Sequence, residues 1–198
     1  TAAGFGVPGL EIDRDFTAER LGFSRVQDNP LYAQLSRGRT EGAVLGLCTQ
    51  ILFGLNRLAT DLVLFASREF GFVRLSPRHT TGSSIMPQKH NPDVLELVRA
   101  RYHAVLGYEM TVKSLGANLI SGYHRDQQLT KEPLFRGLDA TRDCLDVVAP
   151  VLDGMSFDAD RCRAALSDEL YATERVYEQV SCGVPFRDAY RNVAREYE

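Results

Sequence analysis

Val44-Leu45-Gly46-Leu47-Cys48-Thr49-Gln50-Ile51-Leu52-Phe53-Gly54-Leu55-Asn56-Arg57-Leu58-Ala59-Thr60-Asp61-Leu62-Val63-Leu64-Phe65 decides the fold class. Val44, Cys48, Ile51, Leu55, Leu58, Leu62 and Phe65 recur at alternating steps of four and three. That spacing returns an apolar side chain to one face of an α-helix and makes a bundle seam. A second row at Leu45, Leu52, Ala59 and Val63 widens the buried face, which suits a helix packed among several neighbours. Gly42, Gly46 and Gly54 would each cost about 1 kcal/mol relative to alanine in an exposed helix, so they are expected at close helix contacts. Gln50, Asn56, Arg57 and Asp61 interrupt the run, which predicts a core helix too polar to cross a bilayer.

Downstream, Leu95, Val98, Tyr102, Val105, Val112 and Leu115 predict a second long helix that starts at Pro92 and stops at Gly116. A third is predicted from Lys131 to Leu152, with Pro133 tolerated in its first turn and Leu134, Leu138, Leu145, Val148 and Leu152 as one face. Strand-like alternation is essentially absent. The expectation is an all-α, elongated long-helix bundle. After Met155 the pattern shortens to helices at 158–166, 173–181 and from Arg187 onward, with Gly183 and Pro185 as a break. We therefore expect part of a central helical bundle over 1–154 and part of a small helical domain over 155–198. Both ends have the look of cuts: Thr1 stands where an initiator methionine would be, and helical text runs up to Glu198.

The composition is that of a water-soluble enzyme piece: 198 residues, 44% hydrophobic, 25% charged, net charge −3. Basic residues are scattered and balanced by acids, so no nucleic-acid partner is expected. Cys48, Cys144, Cys162 and Cys182 lie far apart without C-x-x-C spacing, which argues against zinc or redox work and for free thiols. No leader and a cytoplasmic location without membrane association are expected. Gly4-Phe5-Gly6-Val7-Pro8-Gly9 formally satisfies G-x-G-x-x-G, but Pro8 sits inside it and neither a preceding strand nor βαβ alternation accompanies it. The acids at Asp143 with Asp146 and at Asp158 with Asp160 lack metal-ligand spacing, so no metal is expected. Neither Ser83 nor Ser84 lies in G-x-S-x-G.

Chemistry concentrates in Gly82-Ser83-Ser84-Ile85-Met86-Pro87-Gln88-Lys89-His90-Asn91-Pro92-Asp93. Asn91 can cap a helix, Pro92 fits its first position, and Asp93 and Glu96 place negative charge in the first turn. The unpaired N–H groups of such a helix start, with Ser83, Ser84 and Lys89 in the loop before it, make a place for a carboxylate.

This stretch resembles the G-S-S-x-M-P-x-K-x-N-P motif of the fumarase/aspartase superfamily, whose members release fumarate from succinyl compounds; all eight fixed positions match. Gln88 and Asp93 in the variable slots, Glu69-Phe70-Gly71-Phe72-Val73 upstream and Gly183-Val184-Pro185-Phe186-Arg187 downstream are most similar to the argininosuccinate lyase branch. The resemblance runs over nearly the whole chain. It implies the superfamily's helical-bundle fold, elimination of fumarate from 2-(N-arginino)succinate to give arginine, no metal or organic cofactor, and a homotetramer whose active sites draw on several subunits. It further implies that the N-terminal domain of such subunits is absent here.

By the same resemblance Ser83 is the base that takes the Cβ proton, with Lys89 and the helix dipole favouring its alkoxide. Removing a proton beside a carboxylate builds a dianionic aci-carboxylate, for which Lys89, Asn91 and the helix-start N–H groups are suitable donors. Glu96 resembles the family glutamate that pairs with a catalytic histidine. That histidine's H-T-H-x-Q segment is not found, and His79, His90, His103 and His124 stand in other contexts. Tyr123-His124-Arg125-Asp126-Gln127-Gln128-Leu129-Thr130-Lys131 resembles Y-x-x-D-x-Q-x-x-K, which implies substrate contacts for Tyr123, Gln128 and Lys131.

The match departs from the family at one place. Where N-S-x-D-A-x-S-x-R-D is usual, the chain has Asn29-Pro30-Leu31-Tyr32-Ala33-Gln34-Leu35-Ser36-Arg37-Gly38-Arg39. Asn29 and Arg37 are carried over as substrate-binding, with Arg39 as the alternative after a one-residue shift, but the aspartate has become Tyr32 and the final acid is missing. The competing readings are therefore a sister fumarate-releasing lyase for adenylosuccinate, aspartate or an aminopolycarboxylate, and an inactive structural fragment.

Overall fold

The computed structural model describes residues 5–197. Gly4, which opens the glycine-rich run, and Glu198, where the text was read as cut, lie outside the described residues. The chain divides into two compact units, Thr1–Leu64 with Leu75–Met155 and Phe65–Arg74 with Ser156–Glu198. The segment Phe65–Arg74 thus groups with the C-terminal residues, an assignment that linear reading did not anticipate.

In the first unit, short helices α1 (Arg14–Arg20) and α2 (Pro30–Leu35) precede the long helices α3 (Arg39–Phe65), α4 (Asp93–Leu115) and α5 (Lys131–Asp153). Asp13 caps α1 by accepting from the Phe16 N–H at 2.8 Å. Gly42 of α3 faces Val112 and Lys113 of α4, while the Asn56 side chain donates to the Arg99 carbonyl at 3.1 Å. The two helices therefore run antiparallel.

The core lies between the three long helices, with Leu45, Leu52, Leu95, Val105, Val112 and Val151 almost or wholly removed from solvent. Leu45, Leu52 and Ala59, taken from sequence as an accessory row, are the deepest residues of α3, whereas Ile51 of the expected seam is exposed. On α5 Val148 of the expected face is buried, but its leucines are corrected more sharply. Leu138 and Leu145 are 40% and 45% exposed, and the buried face is Gly137, Ala140, Thr141, Cys144, Val148 and Val151. Small residues win because α5 approaches so closely that a Cβ at Gly137 would strike Leu45. Thr49 and Thr141 satisfy their buried hydroxyls on the carbonyls four residues back, at 2.9 and 2.7 Å. Gly42 and Gly46 do mark close contacts, with Lys113 and Glu109 of α4, but a Cβ at Gly54 would meet nothing.

By length and composition alone, the helical stretch 30–65 is apolar enough to cross a membrane. Its buried row Leu45, Cys48, Leu52, Ala59 and Leu62 gives it the pattern of a bundle-core helix. Beside the α3–α4 contact, and within α4, the Lys113 ammonium donates to the Glu109 carboxylate at 2.5 Å, with the Glu109 side chain 12% exposed. The Lys113 ammonium first, and the Thr49 hydroxyl second, hold the Glu109 carboxyl below the usual carboxylate range against the opposing effect of burial.

In the second unit, β1 (Val73–Arg74) pairs antiparallel with β2 (Ser156–Phe157) in the register Val73↔Phe157 and Arg74↔Ser156. Helices α6 (Ala159–Ala164), α7 (Ala172–Ser181) and α8 (Phe186–Ala194) follow. Asp158 caps α6 through the Arg161 N–H and pairs with Arg74. The Arg161 guanidinium donates to the carbonyls of Arg68 and Phe70 at 3.1 and 3.4 Å. It occupies the space where Gly71, at φ +59°, has no side chain. Val176, Ala189 and Val193 form a small core between α7 and α8, and Gly183 at φ +91° makes the turn that joins those helices.

Candidate functional site

The motif-bearing loop is held at its base by an antiparallel bridge: Thr81 N–H donates to Asn91 O at 3.0 Å and Asn91 N–H to Thr81 O at 2.8 Å. The Thr81 hydroxyl donates to the Asp93 carboxylate. Between these anchors the loop is two consecutive turns. Ser83 Oγ accepts from the N–H groups of Ile85 and Met86 at 3.3 and 3.2 Å, and Lys89 N–H donates to Met86 O at 3.1 Å. Ser83 is half-buried, whereas Ser84 and Lys89 are exposed.

Asn91 does not cap the helix as expected. The cap position of α4 is Pro92, with no side-chain capping bond, and the helix proper begins at Asp93. The bridge to Thr81 takes up the Asn91 main chain and moves the helix start one residue on. The first turn, which carries Asp93 and Glu96, is thus left without a side-chain cap next to the Ser83 loop. Glu96 is exposed. Two N–H groups are thus directed at Ser83 Oγ from its own turn.

A second group gathers elsewhere in the same unit. Asn29 caps α2, its Oδ1 accepting from the Tyr32 N–H at 3.1 Å. Arg37 follows that helix and lies over the Tyr123 ring, 5.2 Å from its centroid. Gly38, at φ +82°, lets the backbone close over Gln127, whose Oε1 is buried without a hydrogen-bond partner. Gln34, Arg37, Gly122, His124 and Gln127 line a small cleft here. Gln128 accepts from the Arg125 guanidinium at 3.4 Å, and Lys131, the first residue of α5, is exposed.

One chain brings Arg37 and Tyr123 together but does not bring Ser83 to them. The Ser83 loop precedes the first residue of α4 and the Tyr123 segment follows its last; a helix of 23 residues is about 34 Å long. Ser83, Ser84, Lys89, Asn91 and Glu96 belong to one end, and Arg37, Tyr123, Gln128 and Lys131 to the other. Sequence reasoning did not single out Gln127 or Thr81. Gln127 carried no signal beyond its neighbour Gln128, and Thr81 lies just ahead of the motif. Among the described residues no three His, Cys, Asp or Glu side chains gather into a group that could hold a metal.

Comparison with known proteins agrees over the whole length. The chain is 49% identical to the argininosuccinate lyase of Thermotoga neapolitana over 197 residues, covering 100% of this chain and 49% of that protein. It is also 49% identical to the argininosuccinate lyase of Sorangium cellulosum, covering 98% of this chain and 45% of that one. It spans about half the length of these relatives. A crystal structure of EDDS lyase in complex with formate shares the fold, with a TM-score of 0.79 at 24% identity over 98% of this chain and 38% of that chain. A family model described as Lyase matches residues 1–107. With that match over more than half its length and those relatives across the remainder, the chain belongs to the lyase family of the fumarase/aspartase superfamily.

Proposed function

We propose that this chain is the part of an argininosuccinate lyase that carries the proton-abstracting loop, in a protein that splits 2-(N-arginino)succinate into arginine and fumarate. The observation that carries the reading is Ser83 Oγ, which accepts two backbone N–H groups on a loop with Lys89, next to the uncapped first turn of α4. Identity of 49% to relatives named argininosuccinate lyase supports the substrate.

The steps follow from charge. Ser83, as alkoxide, takes the Cβ proton of the succinyl group, and the electron pair left behind spreads into the adjacent carboxylate. Lys89, Ser84, Asn91 and the first-turn N–H groups of α4 stabilise that dianion, an electrostatic effect of about 3–4 kcal/mol per well-placed donor. The C–N bond then breaks, fumarate forms, and the leaving guanidino nitrogen takes a proton from a general acid. The resemblance assigns that acid to a histidine outside these 198 residues, paired with Glu96. Arg37, Asn29, Tyr123, Gln128 and Lys131 bind the carboxylates and amino-acid end of substrate. Because α4 separates them from Ser83 by about 34 Å, a complete site would draw its two groups from different subunits of a homotetramer. The enzyme would work in the cytoplasm.

Tyr32 favours a second reading. It is exposed on α2 where the family usually has aspartate, which admits a sister lyase for another succinyl amine. The test is fumarate release, followed by ultraviolet absorbance, from the full-length protein with argininosuccinate, adenylosuccinate, aspartate and a disuccinylated diamine. Release from argininosuccinate, lost by at least about a hundredfold in Ser83→Ala, is the expected result. Turnover only of another succinyl compound would refute the assignment, and an undiminished Ser83→Ala variant would refute the mechanism.

A further inference from the structure

The Ser83 loop hangs on very little main-chain pairing. Its base is a single bridge of two hydrogen bonds between Thr81, which is exposed, and Asn91, which is half-buried. Pairing of that extent, with no further strand beside it among the described residues, is marginal in water. The loop above it is stiffer, because the Ser83-to-Met86 and Met86-to-Lys89 turns follow directly on each other. The soft point is therefore Gly82, where a Cβ would meet nothing and where the chain leaves Thr81 for Ser83.

One further bond bears on that point. The Thr81 hydroxyl donates to the carboxylate of Asp93, twelve residues on. Asp93 is the first residue of α4, a helix of 23 residues whose face is packed in the core through Leu95, Val98, Val105 and Val112. A hydroxyl-to-carboxylate bond is roughly twice as strong as a neutral one, and its acceptor here is a short side chain on a backbone that the helix holds. Asp93 also lies at the positive end of the α4 dipole, where its charge is favoured.

We propose that Thr81 and Asp93 are positioning residues. Their side-chain bond clasps the base of the loop to the first turn of α4 and fixes Ser83, two residues beyond Thr81, for proton abstraction. Neither side chain touches substrate in this scheme; they act through the placement of Ser83. The proposal rests on the elimination reading above for its catalytic consequence but not for the clasp itself.

The test uses the full-length enzyme with Thr81→Val, which keeps the shape and removes the hydroxyl, Thr81→Ser, which keeps the hydroxyl, and Asp93→Asn. Displacing a reacting group by about 1 Å can cost a hundredfold, so Thr81→Val should lower kcat by about ten- to a hundredfold, while Thr81→Ser stays near wild type. Hydrogen exchange at the Asn91 amide, read by mass spectrometry on native protein, should quicken in Thr81→Val and Asp93→Asn but not in Thr81→Ser. A merely structural role would lower the melting temperature and leave kcat intact. Unchanged exchange at Asn91 in both Thr81→Val and Asp93→Asn would overturn the clasp whatever the substrate, and a Thr81→Val kcat equal to wild type would overturn its role in positioning Ser83. A wild-type enzyme that releases no fumarate from argininosuccinate would overturn the substrate assignment alone, and the exchange measurement would still decide the clasp.

Discussion

Gly137→Ala tests the close approach on which the three-helix core depends. Gly137 lies inside α5, so alanine gains about 1 kcal/mol of helix propensity. Against that, the new Cβ would run into Leu45 Cδ2 and come within 3.7 Å of Val105 Cγ1, and both residues are 0% exposed. Leu45 has no solvent to swing into. Overpacking of this kind costs about 1–3 kcal/mol, and with so direct a clash the upper end applies, leaving a net loss of about 2 kcal/mol. Gly107→Ala on α4 is the internal control: its Cβ would meet nothing, so it should be neutral or stabilise by up to about 1 kcal/mol. Urea unfolding of the full-length protein, followed by circular dichroism, measures both. Leu45→Ala alone should cost about 2–5 kcal/mol, and the Gly137→Ala/Leu45→Ala double variant should cost less than the sum by at least about 1 kcal/mol. Additivity of the two changes within about 0.5 kcal/mol, or a Gly137→Ala protein as stable as Gly107→Ala, would refute the claim that α5 packs against Leu45 by its small residues.

Glu109→Gln should flatten the acid limb of stability. Because the folded Glu109 carboxyl titrates below its unfolded value, its contribution is complete above about pH 4.3 and is lost as pH falls toward the folded pKa. Melting temperatures of wild type should therefore drop more steeply than those of Glu109→Gln below about pH 5, and parallel curves would count against the role given to Lys113. Gly38→Ala should cost about 2 kcal/mol, since φ +82° is unfavourable for an L side chain and the Cβ would approach Gln127 Oε1 to 2.8 Å. A change in unfolding midpoint equivalent to less than about 0.5 kcal/mol would mean that the Gly38 turn is not as tight as described.

The long helices were legible because α3, α4 and α5 carry apolar residues at helical spacing over many turns, and Gly116 and Gly154 follow the last residues of α4 and α5. Which face lies deepest was not legible. Periodicity gives weight to large apolar side chains, so Leu138 and Leu145 drew attention away from Gly137, Ala140 and Thr141, and only the packed helices show that small residues set the distance of approach. The Asn91-Pro92 pair has the form of a cap in sequence; the bridge to Thr81, a contact across ten residues of chain, overrides it. β1 and β2 have two residues each, too few to display alternation. In the candidate site the loop residues stood out in sequence, since eight fixed positions carry the resemblance. The stacking of Arg37 on Tyr123 was not, because it joins segments separated by the whole of α3 and α4.

The grip of Arg161 on the carbonyls of Arg68 and Phe70 has a bearing on the order of events during synthesis. Residues 65–74 leave the ribosome long before the strand and helix that complete their unit, and the Arg74–Asp158 pair alone spans 84 positions. Closing so long an excursion from a flexible chain costs about 4 kcal/mol of entropy, and that cost falls largely away once the intervening helices have docked. The nascent chain must carry the Arg68 and Phe70 carbonyls without their Arg161 donor until about ninety further residues have been added. Residues 65–74 are therefore among the last of the chain's first half to gain their long-range partners.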